Sequence, residues 1–389
     1  MCKTILVTGS SGQLGTALMW ALPAHGYHAI GLDVAASATT TYVGSFYDAS
    51  LVRQVFTDND ISFVLHTGTL HTPHIETHTK QNFIDTNVSG TLLLLEQAVA
   101  SGRCLAFIFT STTSLFGRAF SSVPGQPAAW IDETVVPLPK NIYGITKIAA
   151  ESMCELVHRQ SGMPVLVLRT SRFFTGQDNV EETGWTTSKD DNRKVNELAY
   201  RRVDISDVVD AHICAMEKAR GLGWGTYIIS APTPFSRDAE TLRLLDGEAP
   251  TALRTILPAF ENTFAKRGWS FLARLDRVYD STKAIIELGW KPRYTFEAAL
   301  AAIDEGKDWR SDLAVKVSQK VGPRRMQSHE PHTVLWTGVA LKALDVSDSC
   351  ALTKSYLEDV LDCCQWLTTV IIARCTDIKG RVESKLLAA

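Results

Sequence analysis

Tyr143 and Lys147 stand four residues apart in Tyr143-Gly-Ile-Thr-Lys147, a spacing that places both side chains on one face of a helix. A free phenol ionises near pH ~10, too high for efficient proton transfer at neutrality. A neighbouring ammonium stabilises the phenolate and lowers that value. The pair could therefore exchange a proton with a substrate hydroxyl while a hydride moves to or from a nicotinamide. By itself this spacing is common by chance, so its weight depends on its surroundings. A hydroxyl partner is expected from the preceding strand end, where Phe109-Thr-Ser-Thr-Thr-Ser114 offers five candidates.

Upstream, Thr8-Gly9-Ser10-Ser11-Gly12-Gln13-Leu14-Gly15 falls between an apolar strand, Ile5–Val7, and a periodic helix, Leu14–Leu22. Glycines at 9, 12 and 15 permit a tight turn, close approach of a pyrophosphate, and packing of helix on strand. The helix start then presents N–H groups and a positive dipole end to phosphate. Asp33 ends the second strand, His28–Asp33, 18 residues beyond Gly15. A carboxylate there accepts ribose hydroxyls and repels a 2′-phosphate, which favours NAD over NADP. The plain alternative is a strand-end turn aspartate.

The elements needed to hold these groups are legible as an alternation. Apolar runs at Phe63–Leu65, Leu105–Phe109, Val165–Leu168 and Gly225–Ser230 are separated by helical stretches at Ala49–Thr57, Asn87–Ala100, Tyr143–Gln160 and Val203–Ala219. Continuous apolar strands alternating with helices predict an α/β fold: a Rossmann-type, doubly wound parallel sheet. Residues 1–170 form the nucleotide-binding unit, with 200–230 returning to it. Residues 171–199 and 231–310 form a small substrate lobe, and 311–389 a C-terminal extension of unassigned role. Thr175–Lys194, polar and rich in Gly, Asp and Asn, reads as a loop. The extension starts with Gly322-Pro-Arg-Arg. It carries one helical pattern, a Ser355–Glu358 capping box followed by Leu357, Val360, Leu361, Leu367 and Ile371.

Taken together, these motifs resemble an extended short-chain dehydrogenase/reductase of the NAD-dependent epimerase/dehydratase family. The resemblance covers roughly residues 3–310. It rests on Thr8–Gly15, Asn87-Val-Ser-Gly90-Thr91, Ser111–Gly117, Tyr143/Lys147, Asp280-x-x-Lys283-Ala284 and Leu288-Gly-Trp290-Lys-Pro292. It implies that Thr112 is the hydroxyl member of the catalytic set with Tyr143 and Lys147, and that Lys147 also holds the nicotinamide ribose. It implies cofactor contacts from Gly9, Ser11, Gly12, Gln13, Leu14, Gly15, Asp33, Thr67, Gly68, Thr110 and Thr170. Asn87 would arrange the site from behind, its alternative role being a helix N-cap. A homodimer through helices including the one that carries Tyr143 is a further implication.

Departures from the family pattern bear on the substrate. Gly44-Ser45-Phe46 replaces the acidic residue often found near adenine, which shifts that contact to Phe46. Thr170-Ser-Arg172-Phe-Phe174 stands where nucleotide-sugar enzymes present an aromatic pair and Asn. Arg172 there could clamp a carboxylate or phosphate, or simply pair with an acidic neighbour. Only about 30 residues separate Arg172 from Arg201-Arg202-Val-Asp204. So short a lobe fits a small substrate such as a sugar acid, a layout similar to uronate-dehydrogenase-like members. Arg202 and His71 are further substrate-side candidates. His71, His74 and His78 have spacings that could suit a metal on a helix, but Pro73 interrupts one. Cys363-Cys364 diverge on a helix, and no metal is expected. Thr113 and Ser114 replace the Asp-Glu of the family's dehydratases.

Composition is that of an ordinary soluble enzyme, with 45% apolar and 21% charged residues. A net charge of −3 provides no field for nucleic acid. No apolar run reaches the ~18 residues that span a bilayer, and no signal sequence precedes the first strand. The eight cysteines form no C-x-x-C pair, so a reducing cytoplasm is the expected compartment. These readings predict hydride transfer at a secondary alcohol of a sugar-like substrate, as an epimerase or a net dehydrogenase of a uronate-like acid. A non-catalytic NAD-binding sensor is the competing class.

Overall fold

The computed structural model describes residues 2–117, 124–173, 187–321, 343–345 and 369–371. The chain forms two units, Met1–Pro323 and Arg324–Ala389. The first unit starts with β1 (Thr4–Thr8), α1 (Gln13–Ala21), β2 (His28–Asp33), β3 (Tyr42–Val43), α2 (Ala49–Asp58) and β4 (Ile61–His66). Next come α3 (Lys80–Ile84), α4 (Gly90–Ala100), β5 (Ala106–Thr112), β6 (Ala129–Ile131), α5 (Ile142–Ser161) and β7 (Val165–Thr170). The rest is α6 (Thr187–Leu198), α7 (Ile205–Leu222), β8 (Trp224–Ile229), α8 (Ala239–Leu245), α9 (Ala249–Ile256) and α10 (Phe260–Arg267), then β9 (Arg277–Tyr279), α11 (Thr282–Leu288), α12 (Phe296–Asp304) and α13 (Asp312–Val321).

Seven strands make one parallel sheet in the order β3-β2-β1-β4-β5-β7-β8. The order reverses at β1, so a crevice opens beyond the carboxyl ends of β1 and β4, where ligands bind in such sheets. The interior strands are apolar on both faces because helices cover both. Ile5, Val7 and Leu65 pack with α1 and α7 on one side, while Leu6, Val64, Phe107 and Phe109 pack with α2, α4 and α5 on the other. The sheet expected from the sequence is therefore present.

A second core, rich in aromatic rings, forms around Phe260, Phe264, Trp269, Phe271 and Phe296, with Val195 and Leu198 of α6 packed into it. The short pair β6–β9 runs beside Ile131, which is buried with Tyr279. Trp290 donates its indole N–H to the Asp207 carbonyl, while Arg293 and Tyr294 donate backbone N–H groups to the Asp207 carboxylate. These bonds tie the closing element to the start of α7.

Several boundaries differ from expectation. Thr187–Lys194 is helical, part of α6, rather than loop. Its charged residues hid the pattern: Asp190 pairs with Arg193 and Lys194 along the helix, while Val195 and Leu198 carry the buried face. Residues 175–186 of the expected loop lie outside the described residues. The helix predicted from Asn87 starts earlier, at Lys80, capped by Thr79, and runs through a π-helical segment, Asp85–Ser89, into α4. Asn87 is therefore not an N-cap. The extension expected from 311 starts later. Ser311 donates its hydroxyl to Asp204, and Ala314 and Val317 of α13 are buried in the first core.

In the second unit a parallel pair, Ala343–Asp345 with Thr369–Ile371, is described. Ile371 is thus in a strand and cannot end the helical repeat expected there. Gly322-Pro-Arg-Arg, Ser355–Glu358, Val360, Leu361, Cys363, Cys364 and Leu367 lie outside the described residues. Among the described residues no helix is long and apolar enough to cross a membrane.

Candidate active site

The turn after β1 is built by its glycines, and they divide the work. Gly9 has φ +69°, and a side chain there would meet Gly68 backbone at 2.7 Å. A Cβ on Gly15 would lie 2.0 Å from the Gly9 carbonyl oxygen. Gly12 is different: its Cβ would meet only the Gly9 oxygen, at 3.2 Å. The protein needs bare backbone at Gly9 and Gly15 to close the turn, whereas at Gly12 bareness leaves room in front of the helix. Gly12 is also the N-cap of α1, with no side-chain cap and no acidic residue in the first turn. An uncapped helix start behind open space suits a phosphate, so the residues present fit the dinucleotide.

Asp33 is positioned from this turn. Its carboxylate accepts the Ser11 N–H at 3.0 Å and the Ala35 N–H at 2.9 Å. It is thus both the strand-end turn aspartate and a carboxylate at the rim of the crevice. Leu14 is buried in the core, so any contact it makes with a cofactor is through backbone. Gln13 opens α1. Phe46 is a correction. Its ring is buried edge-on to His66, with Gly68 and Gly90 so close that a Cβ on either would clash with it. Packed in this way, it belongs to the core and offers little surface to adenine.

Behind the turn runs a buried chain of hydrogen bonds. Thr91 donates to the Asn87 carbonyl at 2.7 Å, so its oxygen must accept from His66 Nε2, 2.9 Å away. His66 Nδ1 then accepts from Thr8, at 2.6 Å, and Thr8 accepts the Gly68 N–H. Thr67 donates to the Thr8 carbonyl. Asn87 continues the chain: its amide donates to the Leu70 carbonyl and to Thr146, and its oxygen accepts from Leu70 and Thr69. The π segment supplies this reach. Asn87 thereby links the loop after β4 to the helix that carries Tyr143.

The hydroxyl candidates on β5 separate by partner. Thr110 faces His212 at 2.7 Å, Ser111 donates to Glu151, and Thr112 stands beside the Tyr143 phenol and favours its ionised form. The Thr112 oxygen accepts the Ser114 N–H at 3.0 Å. Thr170, in register with Thr112 on β7, donates inward to the Ser111 carbonyl. Thr110 and Thr170 thus have their hydroxyls engaged by protein.

Tyr143 and Lys147 are both buried on α5. The Lys147 amine donates to the Thr110 carbonyl at 2.6 Å and lies 4.0 Å from the centre of the Phe109 ring. Burial pushes the amine down to about 7, opposed by the Glu151 charge. The expected lowering of the phenol is not what this state shows. Burial pushes Tyr143 up to about 12, with the Thr112 hydrogen bond pulling the other way. The reason is that water is excluded from the phenolate and the lysine is turned toward a carbonyl.

Two buried histidines escaped the sequence reading, His66 and His212, each inside a helix- or strand-like apolar run that gave no signal. Burial, with Lys147 nearby, holds His66 well below its ordinary value, and burial brings His212 to about 4. His212 Nδ1 lies 2.8 Å from the Val208 carbonyl, so that nitrogen carries the hydrogen and Nε2 accepts from Thr110. His66 carries its hydrogen on Nε2. Imidazole nitrogen NMR is expected to show these two rings as neutral, opposite tautomers that stay unprotonated where a free imidazole titrates. Protonation of either near the ordinary value, pH ~6.5, would contradict the hydrogen-bond order.

On the substrate side one carboxylate gathers an excess of positive charge. Glu197, fully buried, pairs with Arg202 at 3.0 Å, Arg201 at 2.9 Å, Arg172 at 3.4 Å and Arg193 at 3.9 Å. Burial pushes its carboxyl up, but these guanidinium groups outweigh that and hold it below the usual range. Arg172 forms the ion pair foreseen as its alternative, yet its side chain remains 45% exposed, and that of Arg201 41%. Arg202 is buried against Glu197. His71 donates its backbone N–H to His74 Nδ1 and meets that ring edge-on, as the N-cap of a 3-10 turn, Thr72–Glu76, that holds Pro73 in its first turn rather than being broken by it.

The parallel sheet, glycine turn and tyrosine–lysine helix define an enzyme of the extended short-chain dehydrogenase/reductase type. Residues 5–229, more than half of the chain, match the NAD dependent epimerase/dehydratase family. The chain belongs to that family, whose cofactor is NAD. It is 27% identical over 350 residues to a UDP-glucose 4-epimerase of Rhizobium meliloti, covering 79% of this chain and 97% of that protein. A UDP-glucose 4-epimerase of Erwinia amylovora is 27% identical over 165 residues, 39% of this chain and 47% of that one, so there the match spans less than half of the relative. The solved UDP-glucose 4-epimerase of Thermotoga maritima, bound to UDP-glucose, superposes with a TM-score of 0.54 at 23% identity, covering 78% of this chain and 97% of that one. This last likeness shows the shared fold.

Proposed function

We propose that this chain catalyses NAD-dependent epimerisation at a secondary alcohol of a sugar-like substrate that carries an anionic group. The gathering of Thr112, Tyr143 and Lys147 at the end of β5 is the observation that carries the reading: Thr112 is the strand-end hydroxyl that acts on the buried phenol, and the Lys147 amine reaches the Thr110 carbonyl two residues before it. Tyr143 takes the proton of the reacting alcohol, Thr112 orients that oxygen, and the buried Lys147 charge stabilises the phenolate. Bound NAD supplies the hydride acceptor. The cofactor roles of Gly9, Ser11, Gly12, Gln13, Gly15, Asp33, Thr67 and Gly68 follow from their place along the crevice.

The lobe of 171–199 and 231–310 would close over the substrate. Four guanidinium groups around one carboxylate favour an anion there, and Arg172 and Arg201 are the two exposed enough to meet it. A sugar carboxylate and a nucleotide diphosphate share that chemistry. A homodimer through α4 and α5 is part of the same proposal, supported by the exposed apolar side chains Val99, Ile145 and Leu156.

The protein should be incubated with NAD+ and three series: neutral sugars, sugar acids and UDP-sugars. The expected result is an epimeric product from an anionic series without net NADH. Steady NADH accumulation would assign a dehydrogenase instead, and binding of NAD with no turnover in any series would leave a sensor. Arg172→Ala is expected to raise KM for the active anion about tenfold or more, with kcat changed far less. An unchanged KM would remove Arg172 from the substrate site.

A further inference from the structure

Three consecutive residues of β5 grip three successive turns of α5. Thr112 stands beside Tyr143, the Thr110 carbonyl accepts from Lys147, and Ser111 donates to Glu151. Tyr143, Lys147 and Glu151 are spaced i, i+4, i+8, so they form one stripe on the helix facing the strand. Two of the three belong to the proposed chemistry. The third has no assigned role.

Glu151 is buried, and its carboxylate is held from two directions. Arg169 on β7 donates from Nε and Nη2, the latter at 2.8 Å, and Ser111 donates its hydroxyl. Carboxylate and guanidinium could serve only each other, as a structural pair between β7 and α5. Two observations go further. Among the described residues, Lys147, one turn away and buried, has one hydrogen-bond acceptor, the Thr110 carbonyl, for its three N–H donors. An ammonium so placed loses its hydration and favours the neutral form, so a fixed negative charge close by has a large effect. Arg169 also leaves Nη1 buried without a hydrogen-bond partner, over the Phe116 ring, so its orientation is set by the demand of Glu151.

We propose that Glu151, locked by Arg169 and Ser111, is a positioning residue that keeps the Lys147 amine charged and aligned beside Tyr143. The inference rests on the proposed role of Lys147. The groups facing that amine are few. On α5 they are Tyr143, Glu151 and Cys154; His66 approaches from β4, the Phe109 ring and Thr110 carbonyl from β5, Arg169 from β7 behind Glu151, and His212 from α7 behind Thr110. Burial keeps the Cys154 thiol and the Tyr143 phenol protonated and both histidines neutral at pH 7. Of this set, Glu151 and Arg169 remain as the charges able to bias the lysine.

The two have opposite signs, which separates electrostatics from damage to the fold. In the full chain labelled with 13C-lysine, the Lys147 signal can be followed through pH without any turnover. Glu151→Gln is expected to lower its midpoint by about one unit or more, and Glu151→Asp to restore most of it. Arg169→Gln, which removes a cation and leaves the carboxylate unpaired, is expected to raise the midpoint. If Glu151→Gln does not fold, the upward shift in Arg169→Gln still decides the matter. No shift in either folded variant, or shifts of the same sign, would overturn the proposal. Because the readout is titration, absence of sugar turnover would count against the proposed function and leave this inference standing.

Discussion

Tyr143→Phe is expected to lower kcat by about 10³-fold, within the range that a positioned general base contributes, while NAD affinity stays within a few-fold of the native value. The substitution removes one oxygen and keeps the ring in a buried position. The Thr112 hydroxyl still accepts the Ser114 N–H, so the turn after β5 does not lose its anchor. What disappears is the oxygen proposed to receive the alcohol proton, while the Lys147 amine still donates to the Thr110 carbonyl. Steady-state kinetics on the active sugar series, with calorimetric titration of NAD, checks both parts. Turnover within tenfold of native would show that the proton leaves by another route and would remove the hydride-transfer reading.

The glycine turn yields the second large effect, and it is a contrast. Gly15→Ala would place a methyl 2.0 Å from the Gly9 carbonyl oxygen and 2.8 Å from Ser10 Cα. Both are backbone atoms at the end of the central strand, with no rotamer to relax. The turn must open or α1 must move. Overpacking of this kind costs about 1–3 kcal/mol or more, and α1 carries Ala17, Leu18 and Leu22 into the core. A fall in Tm of several degrees together with loss of NAD binding is expected. Gly12→Ala meets only the Gly9 oxygen at 3.2 Å, so the protein should fold with nearly native Tm. Its methyl would occupy the space in front of the helix start, and NAD affinity should drop by about tenfold or more. Equal loss of stability in both variants would mean that Gly12 is a folding glycine like its neighbours and that the space beyond it is not a phosphate site.

Much of the scaffold was legible because its signals are local. A strand buried on both faces is apolar at every position, as at Ile5–Val7 and Val165–Leu168, and a helix that follows a glycine turn shows its period at once. Legibility failed where charge masked the pattern. Thr187–Leu198 reads as polar loop until Asp190 is seen to pair with Arg193 and Lys194 along it. It failed again at Lys80–Ile84, because the cap is Thr79 with Asn82, not the commoner Glu or Gln partner.

The candidate site divides in the same way. Spacing within one element was enough for Tyr143 and Lys147, and for the glycines at 9, 12 and 15, because a helix turn and a tight backbone turn relate residues close in sequence. By itself the sequence therefore determined the α/β class, the dinucleotide turn and the tyrosine–lysine pair. Pairings between distant elements were decided only by the tertiary structure. Ser111 meets Glu151 and Arg169, Thr110 meets His212, and Glu197 gathers Arg172, Arg201 and Arg202. So was the packing of the Phe46 ring edge-on to His66. The physical reason is that a strand's alternation says which residues share a face, but not what lies across from that face. Which strands become neighbours, and at which register, is settled when the sheet and its helices bury their apolar surfaces together.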